Sequence, residues 1–324
     1  MGEVKQIKNL KDFSASIERF QGGHRLCPGC SHGVIVREFI NATDEEMCVS
    51  NATGCLEVCS TIYPFTSWNV SWVHVGFENA AAAISGVEAM HKSLKNQGKS
   101  YNDKEIKFLA FGGDGGTYDI GFQSLSGAAE RGHRFIYVCV DNEGYMNTGG
   151  QRSSSTPIGS STTTSPAGKI SYGEKKHKKD LVAIMAAHRC EFVAQIAPGH
   201  KFWKDLVTKA QRAYAANGPV FINAMSPCPT EWKFDPALSM QVGEVMVDSC
   251  VCPLYQIEHN DEAYGYKLTI TYEPKNKLPV KEYIALQGRF KHLFKPENAH
   301  ILEQWQKNVD AQWDYLRRRQ DAGV

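Results

Sequence analysis

Short runs dense in β-branched and aromatic residues alternate along the chain with stretches whose apolar positions recur three and four residues apart. That alternation predicts an α/β architecture built on a mostly parallel, doubly wound sheet. Strands are expected at Met47 to Asn51, Trp72 to Val75, Ile106 to Phe111, Phe135 to Asp141, Glu191 to Gln195 and Pro219 to Met225. Helical spacing marks Asn79 to Lys95, Ile120 to Arg131, Asp180 to Arg189 and Lys201 to Asn217 between them. Asp180 reads as the N-cap of its helix, and Asn217-Gly218 as a left-handed terminus closing another.

Two stretches interrupt the pattern. Asn142 to Tyr172 is rich in Ser, Thr, Gly and Pro, and a loop of about thirty residues inside a compact domain is usually functional or disordered. After Trp232 the periodicity becomes irregular, with a hairpin expected through Tyr255 to Tyr272 around the polar segment His259 to Tyr266, and a last amphipathic helix from Ala299 toward Arg319. The chain is therefore divided into an α/β domain over 1–232 and an irregular C-terminal arm over 233–324, expected to lie over a neighbouring subunit. No internal repeat is visible.

Composition narrows the classes. With 324 residues, 42% hydrophobic and 22% charged, the chain has the make-up of a globular protein with one large core. Lys plus Arg number 36 against 35 Asp plus Glu, a net charge of +1, so no global field attracts a polyanion and nucleic acid is not an expected partner. Neither a secretory leader nor an apolar run of about 18 residues is visible, so a cytoplasmic protein without a membrane span is expected. There, ten cysteines are thiols rather than disulfides. Cys48, Cys139 and Cys190 sit on or beside strand-like runs, as small buried hydrophobes do.

The chemistry gathers at two strand ends. Ile106 to Phe111 runs into Gly112-Gly113-Asp114-Gly115-Gly116, and Phe135 to Asp141 into Asn142-Glu143-Gly144. In an open α/β sheet ligands sit beyond the carboxyl ends of strands. Glycines there admit a phosphate, Asp114 offers a hard oxygen to Mg²⁺, and Asn142 adds a side-chain oxygen beside a backbone carbonyl. The pair reads as a divalent-metal clamp for a diphosphate, although the glycines alone fit a plain turn equally well. Cys27 and Cys30 form a CxxC, followed by Cys55, Cys59 and the distant Cys228. Soft thiolates select Zn²⁺, Cu(I) or iron–sulfur clusters, and spacing does not choose among them; a structural zinc site of Cys27, Cys30, Cys55 and Cys59 stays open.

A Gly-Asp-Gly followed about 28 residues later by Asn, both at strand ends, resembles the thiamine diphosphate motif. The surroundings sharpen that likeness: Cys-Pro-Gly-Cys at 27–30, Asn-Ala-Thr-Gly-Cys-Leu-Glu-Val at 51–58, Phe-Glu-Asn-Ala-Ala-Ala at 77–82, Tyr-Met-Asn-Thr-Gly-Gly-Gln at 145–151, Pro-Cys-Pro-Thr-Glu-Trp at 227–232 and Leu-Gln-Gly-Arg-Phe at 286–290. Over nearly its whole length the chain resembles the β subunit of 2-oxoacid:ferredoxin oxidoreductases, of which pyruvate:ferredoxin oxidoreductase (pyruvate synthase) is the best known.

The resemblance implies the thiamine diphosphate-binding fold and an oxidoreductase that decarboxylates a small 2-oxoacid oxidatively, passing electrons through a 4Fe-4S cluster to ferredoxin. By it, Asp114, Asn142 and the Gly144 carbonyl hold Mg²⁺, Gly113 and Gly115 approach the diphosphate, Thr53, Gly54 and Cys55 line the turn past the cofactor, and Asn147 touches substrate. Cys27, Cys30, Cys55 and Cys228 match the family's cluster ligands. Cys59, Cys250 and Cys252 depart from the family, which has less reactive residues there. The glutamate that activates the cofactor lies in a family domain absent from this sequence, which implies a partner chain supplying it and another carrying further clusters. Pyruvate is the expected substrate, with 2-oxoisovalerate and oxalate as alternatives, and a non-redox thiamine decarboxylase with structural zinc as the reading from another class. The use of coenzyme A and the subunit stoichiometry stay open. So do His32, which either faces the cofactor or caps a helix, and the run Lys175-Lys176-His177-Lys178-Lys179, which either guides an acidic ferredoxin or is a solvated face.

Overall fold

The computed structural model describes residues 7–99, 104–260 and 265–324. Eight strands form one sheet: β1 (Glu46–Ala52), β2 (Ser71–Val75), β3 (Ile106–Gly113), β4 (Ile136–Asp141), β5 (Phe192–Ile196), β6 (Val220–Met225), β7 (Tyr255–Asn260) and β8 (Gly265–Ile270). Their order across the sheet is β2-β1-β3-β4-β6-β5-β7-β8. The first six are parallel to their neighbours, while β7 pairs antiparallel with β5 and β8 antiparallel with β7.

Alternation along the strands distributes the side chains to two cores, one on each face. In β4, Ile136, Val138 and Val140 join the core under the helices Ser31–Ile40 and Trp203–Ala215, while Tyr137 and Cys139 join the core under Ala80–Asn96, Phe122–Glu130 and Leu181–Ala187. Burial on both faces explains why the central strands read as unbroken apolar runs. All ten cysteines are free thiols, and Cys139, Cys190, Cys250 and Cys252 are buried.

Three local features differ from the sequence pattern. The stretch expected to become helical near Ile120 is already wound from Gly115, as a π-helical turn Gly115–Ile120 leading into Phe122–Glu130. Asn217-Gly218 is not a left-handed terminus: Ala216 turns extended after the helix, and Glu191 Oε2 accepts from the N–H groups of both Asn217 and Gly218 at 2.7 Å. Asp180 does cap its helix, accepting from Ala183 N at 3.0 Å. The third feature is the segment after 232, which does not trail away as an arm within this chain. Its hairpin extends the sheet, and Val242, Met246, Tyr283 and Trp305 enter the same core as the helices of the first 232 residues. Of the polar hairpin turn, residues 261–264 lie outside the described residues.

Candidate functional site

Because the strands run parallel, the carboxyl ends of β1, β3 and β4 lie side by side, and a cavity of about 110 Å³ opens there. It is lined by Thr53, Gly54 and Cys55 after β1, Gly113, Asp114 and Gly115 at the end of β3, and Asn142, Gly144 and Asn147 after β4. Nine residues singled out along nearly a hundred positions of sequence thus share one cavity. At Gly54 and Gly113 an added Cβ would meet no protein atom within 4 Å, so the space those glycines leave belongs to the cavity. At Gly115 a Cβ would strike the Tyr145 ring at 2.6 Å.

Three oxygens converge in the wall. The end of the Asn142 amide that lies 2.9 Å from Asp114 Oδ1 and 3.0 Å from the Gly144 carbonyl is its oxygen in one orientation and its nitrogen in the other. Turning the amide would let its NH₂ group donate to both; a cation among the three satisfies them with the amide as it stands. Oxygens about 2.9 Å apart span one edge of an octahedron with metal–oxygen bonds of about 2.1 Å, the geometry Mg²⁺ demands.

The Ser/Thr-rich loop supplies hydroxyls to this acid cluster. Ser153 Oγ donates to Asp114 Oδ2, Ser155 Oγ to Asp141 Oδ1 at 2.6 Å and Thr156 Oγ1 to the Glu143 carbonyl at 2.8 Å. Burial, and next the charge of Asp141, push the Asp114 carboxyl well above its ordinary range. On the far side, Lys178 Nζ reaches Asp141 Oδ2 at 2.7 Å and Glu143 Oε1 at 3.6 Å. Burial opposes the charge of Lys178, but Asp141 and Glu143 outweigh it and raise its pKa. The basic run 175–179 is therefore not simply a solvated face, since one of its lysines turns inward.

Two further residues of the cavity wall come from the structure. Asn51, 1% exposed, has a side-chain nitrogen with no hydrogen-bond partner. His32 is buried on the cavity wall with Nδ1 2.6 Å from Ser226 Oγ, and burial pushes its pKa down to about 4, so the ring is neutral. It does not cap its helix, whose N-cap position is Cys30. In the sequence Asn51 stands at the end of a predicted strand and opens the motif at 51–58, without a role of its own. At the rim Thr53 Oγ1 lies 2.7 Å from His74 Nε2, itself 3.6 Å from Glu57 Oε2.

The thiols gather beside the same cavity. Cys27 is exposed, and Cys30, Cys55, Cys59 and Cys228 are half-buried. Burial first, then the neighbouring thiols of Cys228, Cys27 and Cys59, push Cys30 up to about 12, and burial with the same neighbourhood raises Cys55. Among the described residues no three His, Cys, Asp or Glu side chains draw close enough to hold one metal ion.

Comparison with known proteins gives consistent results. The family model for the thiamine pyrophosphate enzyme C-terminal TPP binding domain matches residues 52–224. The chain is 45% identical to pyruvate synthase subunit PorB of Methanocaldococcus jannaschii over 90% of its own length and 94% of that protein's. It is 44% identical to the Thermotoga maritima subunit of the same name over 97% and 95%, and 36% identical to ketoisovalerate oxidoreductase subunit VorB of Pyrococcus abyssi over 93% of each. Among solved structures, 2-oxoglutarate:ferredoxin oxidoreductase from Magnetococcus marinus shares the fold, with a TM-score of 0.54 and 22% identity over 71% of this chain and 70% of that one.

Proposed function

We propose a reaction for this chain from one premise: it belongs to the family of 2-oxoacid:ferredoxin oxidoreductase β subunits, and its residues 52–224 form their thiamine pyrophosphate-binding domain. In our reading the substrate is pyruvate, the name shared by the relatives that are 40 to 46% identical, with Mg²⁺ and a 4Fe-4S cluster held by this subunit and ferredoxin as the acceptor. Thiamine diphosphate, when bound, supplies the electron sink that lets a 2-oxoacid release CO₂.

The chain's own residues bind, orient and balance charge. Asp114, Asn142 and Gly144 would hold Mg²⁺, the open faces of Gly54 and Gly113 would admit the cofactor, and the orphan Asn51 amide would donate to it. The residues fit that group. Asp114, Asp141 and Glu143 are buried, and among the described residues Lys178 and Arg289 pair with the last two, which leaves Asp114 without a cationic side chain of its own. Asn147, on the rim, would meet the substrate. Cys30 and Cys55 lie near enough to Cys27, Cys59 and Cys228 for each to feel their charge, and Cys27, Cys30, Cys55 and Cys228 would be the ligands of the cluster.

The convergent oxygens of Asp114, Asn142 and Gly144 carry this reading. The test is Asp114→Ala in the assembled complex: thiamine diphosphate and Mg²⁺ retained after purification should fall to background while the variant still melts cooperatively. Retention equal to wild type would falsify the metal assignment. Steady-state turnover of pyruvate against 2-oxoisovalerate and oxalate decides the substrate.

A further inference from the structure

The metal-binding turn is not self-supporting. Asn142 and Gly144 line the cofactor cavity, while the residue between them, Glu143, lines a second cavity of about 320 Å³ on the other side, together with Lys178. Glu143 sits at φ 64°, the left-handed region, which costs a non-glycine residue about 1 kcal/mol or more unless its surroundings hold it there. Part of what holds it is near at hand, in Asp141, Thr156 and Lys178, and part comes from the C-terminal segment. Arg289, 2% exposed, donates to Glu143 Oε2, also 2% exposed, at 2.6 Å. The same guanidinium stacks 3.9 Å above the Trp232 ring, and Trp232 Nε1 donates to the Asn142 carbonyl at 2.8 Å. Gln287 Oε1 accepts from Arg289 Nε at 2.8 Å and fixes the fork.

We propose that Arg289 is a positioning residue for the metal site: its ion pair with Glu143, keyed on Trp232, holds the Asn142–Gly144 turn so that both oxygens face Asp114, and thereby couples the packing of residues 286–290 to Mg²⁺-dependent cofactor retention. The proposal rests on the metal reading above and extends it to residues that touch neither metal nor cofactor. A lone buried carboxylate at 143 would seek another partner and swing the turn; losing one member of such a pair costs more than replacing both. Coupling is reciprocal, so metal and cofactor must in turn tighten the tail.

The purified complex is titrated with Mg²⁺ at fixed thiamine diphosphate, following cofactor binding by circular dichroism, for wild type, Arg289→Gln, Glu143→Gln, the double variant and Asp114→Ala. Either single variant should raise the half-saturating Mg²⁺ at least tenfold, with the double variant less impaired than Arg289→Gln. Hydrogen exchange of residues 286–290 should slow on cofactor binding in wild type and not in Glu143→Gln, the variant that keeps the Arg289 stack if Arg289→Gln fails to fold. Unchanged half-saturating Mg²⁺ in both single variants, with or without a lowered melting temperature, overturns the proposal. Wild-type binding by Asp114→Ala instead overturns the metal reading beneath it.

Discussion

Glu38, on the helix Ser31–Ile40, shows how a single half-buried carboxyl makes stability depend on pH. Burial raises its pKa from 4.5 to about 7, against a smaller opposite pull from Arg37. Between those values the folded chain holds a proton the unfolded chain has released, so stability declines as pH rises through that window and the full penalty is felt above about 7. The displacement corresponds to at most about 3 kcal/mol. Glu38→Gln should therefore raise the melting temperature at pH 8 and leave it unchanged at pH 4; equal shifts at both would sink the assignment. The thiols make a second residue-scale case. Cys228 sits between Pro227 and Pro229 and is close enough to Cys30 and Cys55 to raise both, although more than 170 residues separate it from either; lengthening a closed loop adds little entropy cost per doubling. We expect Cys228→Ser to lose the reduced-cluster electron-spin signal and Cys59→Ser to keep it, with iron and sulfide counted anaerobically in each.

At the scale of elements, the π-helical turn Gly115–Ile120 shows why some boundaries escaped the sequence. Apolar spacing revealed the strands and the long helices because burial on one or two faces dictates it. Four glycines around Asp114 carry no such spacing; the wide turn is closed by its own bond from Gly121 N–H to Gly116 O at 2.9 Å and fixed from farther along the chain by Tyr145 OH, which donates to Gly115 O at 3.2 Å. For the same reason Glu191 displaced the expected cap at Gly218, and β7 joined β5 without any local sign. That Asp114, Asn142 and Gly144 share one cavity was legible since strand ends carry them; the contacts of Arg289 with Glu143 and Trp232 are supplied only by the fold. A Cβ at Gly121 would lie 2.1 Å from Gly116 O and 3.0 Å from Glu78 O, both backbone, so neither can rotate away. Gly121→Ala should destabilise by about 2 kcal/mol and lower cofactor affinity by disturbing Gly115. An unchanged unfolding midpoint in urea would contradict this.

For the molecule as a whole, the question is how much of the site one chain owns. Its tail belongs to its own core: Ile301, Trp305, Val309, Trp313 and Leu316 on the helix Ala299–Asp321 are all buried. At about 2 kcal/mol each they rival the roughly 5–15 kcal/mol that keeps a domain folded, so a chain ending at residue 298 should fail to melt cooperatively rather than merely fail to assemble. The cofactor cavity is different. Its described lining includes an aspartate, asparagines, a neutral histidine and threonines but no glutamate, and the acids nearest the metal site are already engaged with Ser153, Lys178 and Arg289. A thiamine cofactor needs a carboxylic acid to exchange a proton with its aminopyrimidine, and among the described residues that line the cavity none is a free acid. We expect a second chain to bring one to the open side. The isolated subunit, loaded with Mg²⁺ and thiamine diphosphate, should therefore exchange the thiazolium C2 proton at close to the rate of free cofactor, as read by quenched-flow NMR. Adding the partner chain should accelerate that exchange by 10²-fold or more, the usual scale of positioned acid–base catalysis, and changing the partner's acid to an amide should abolish the gain. Fast exchange by the isolated subunit would mean that the acid is here after all.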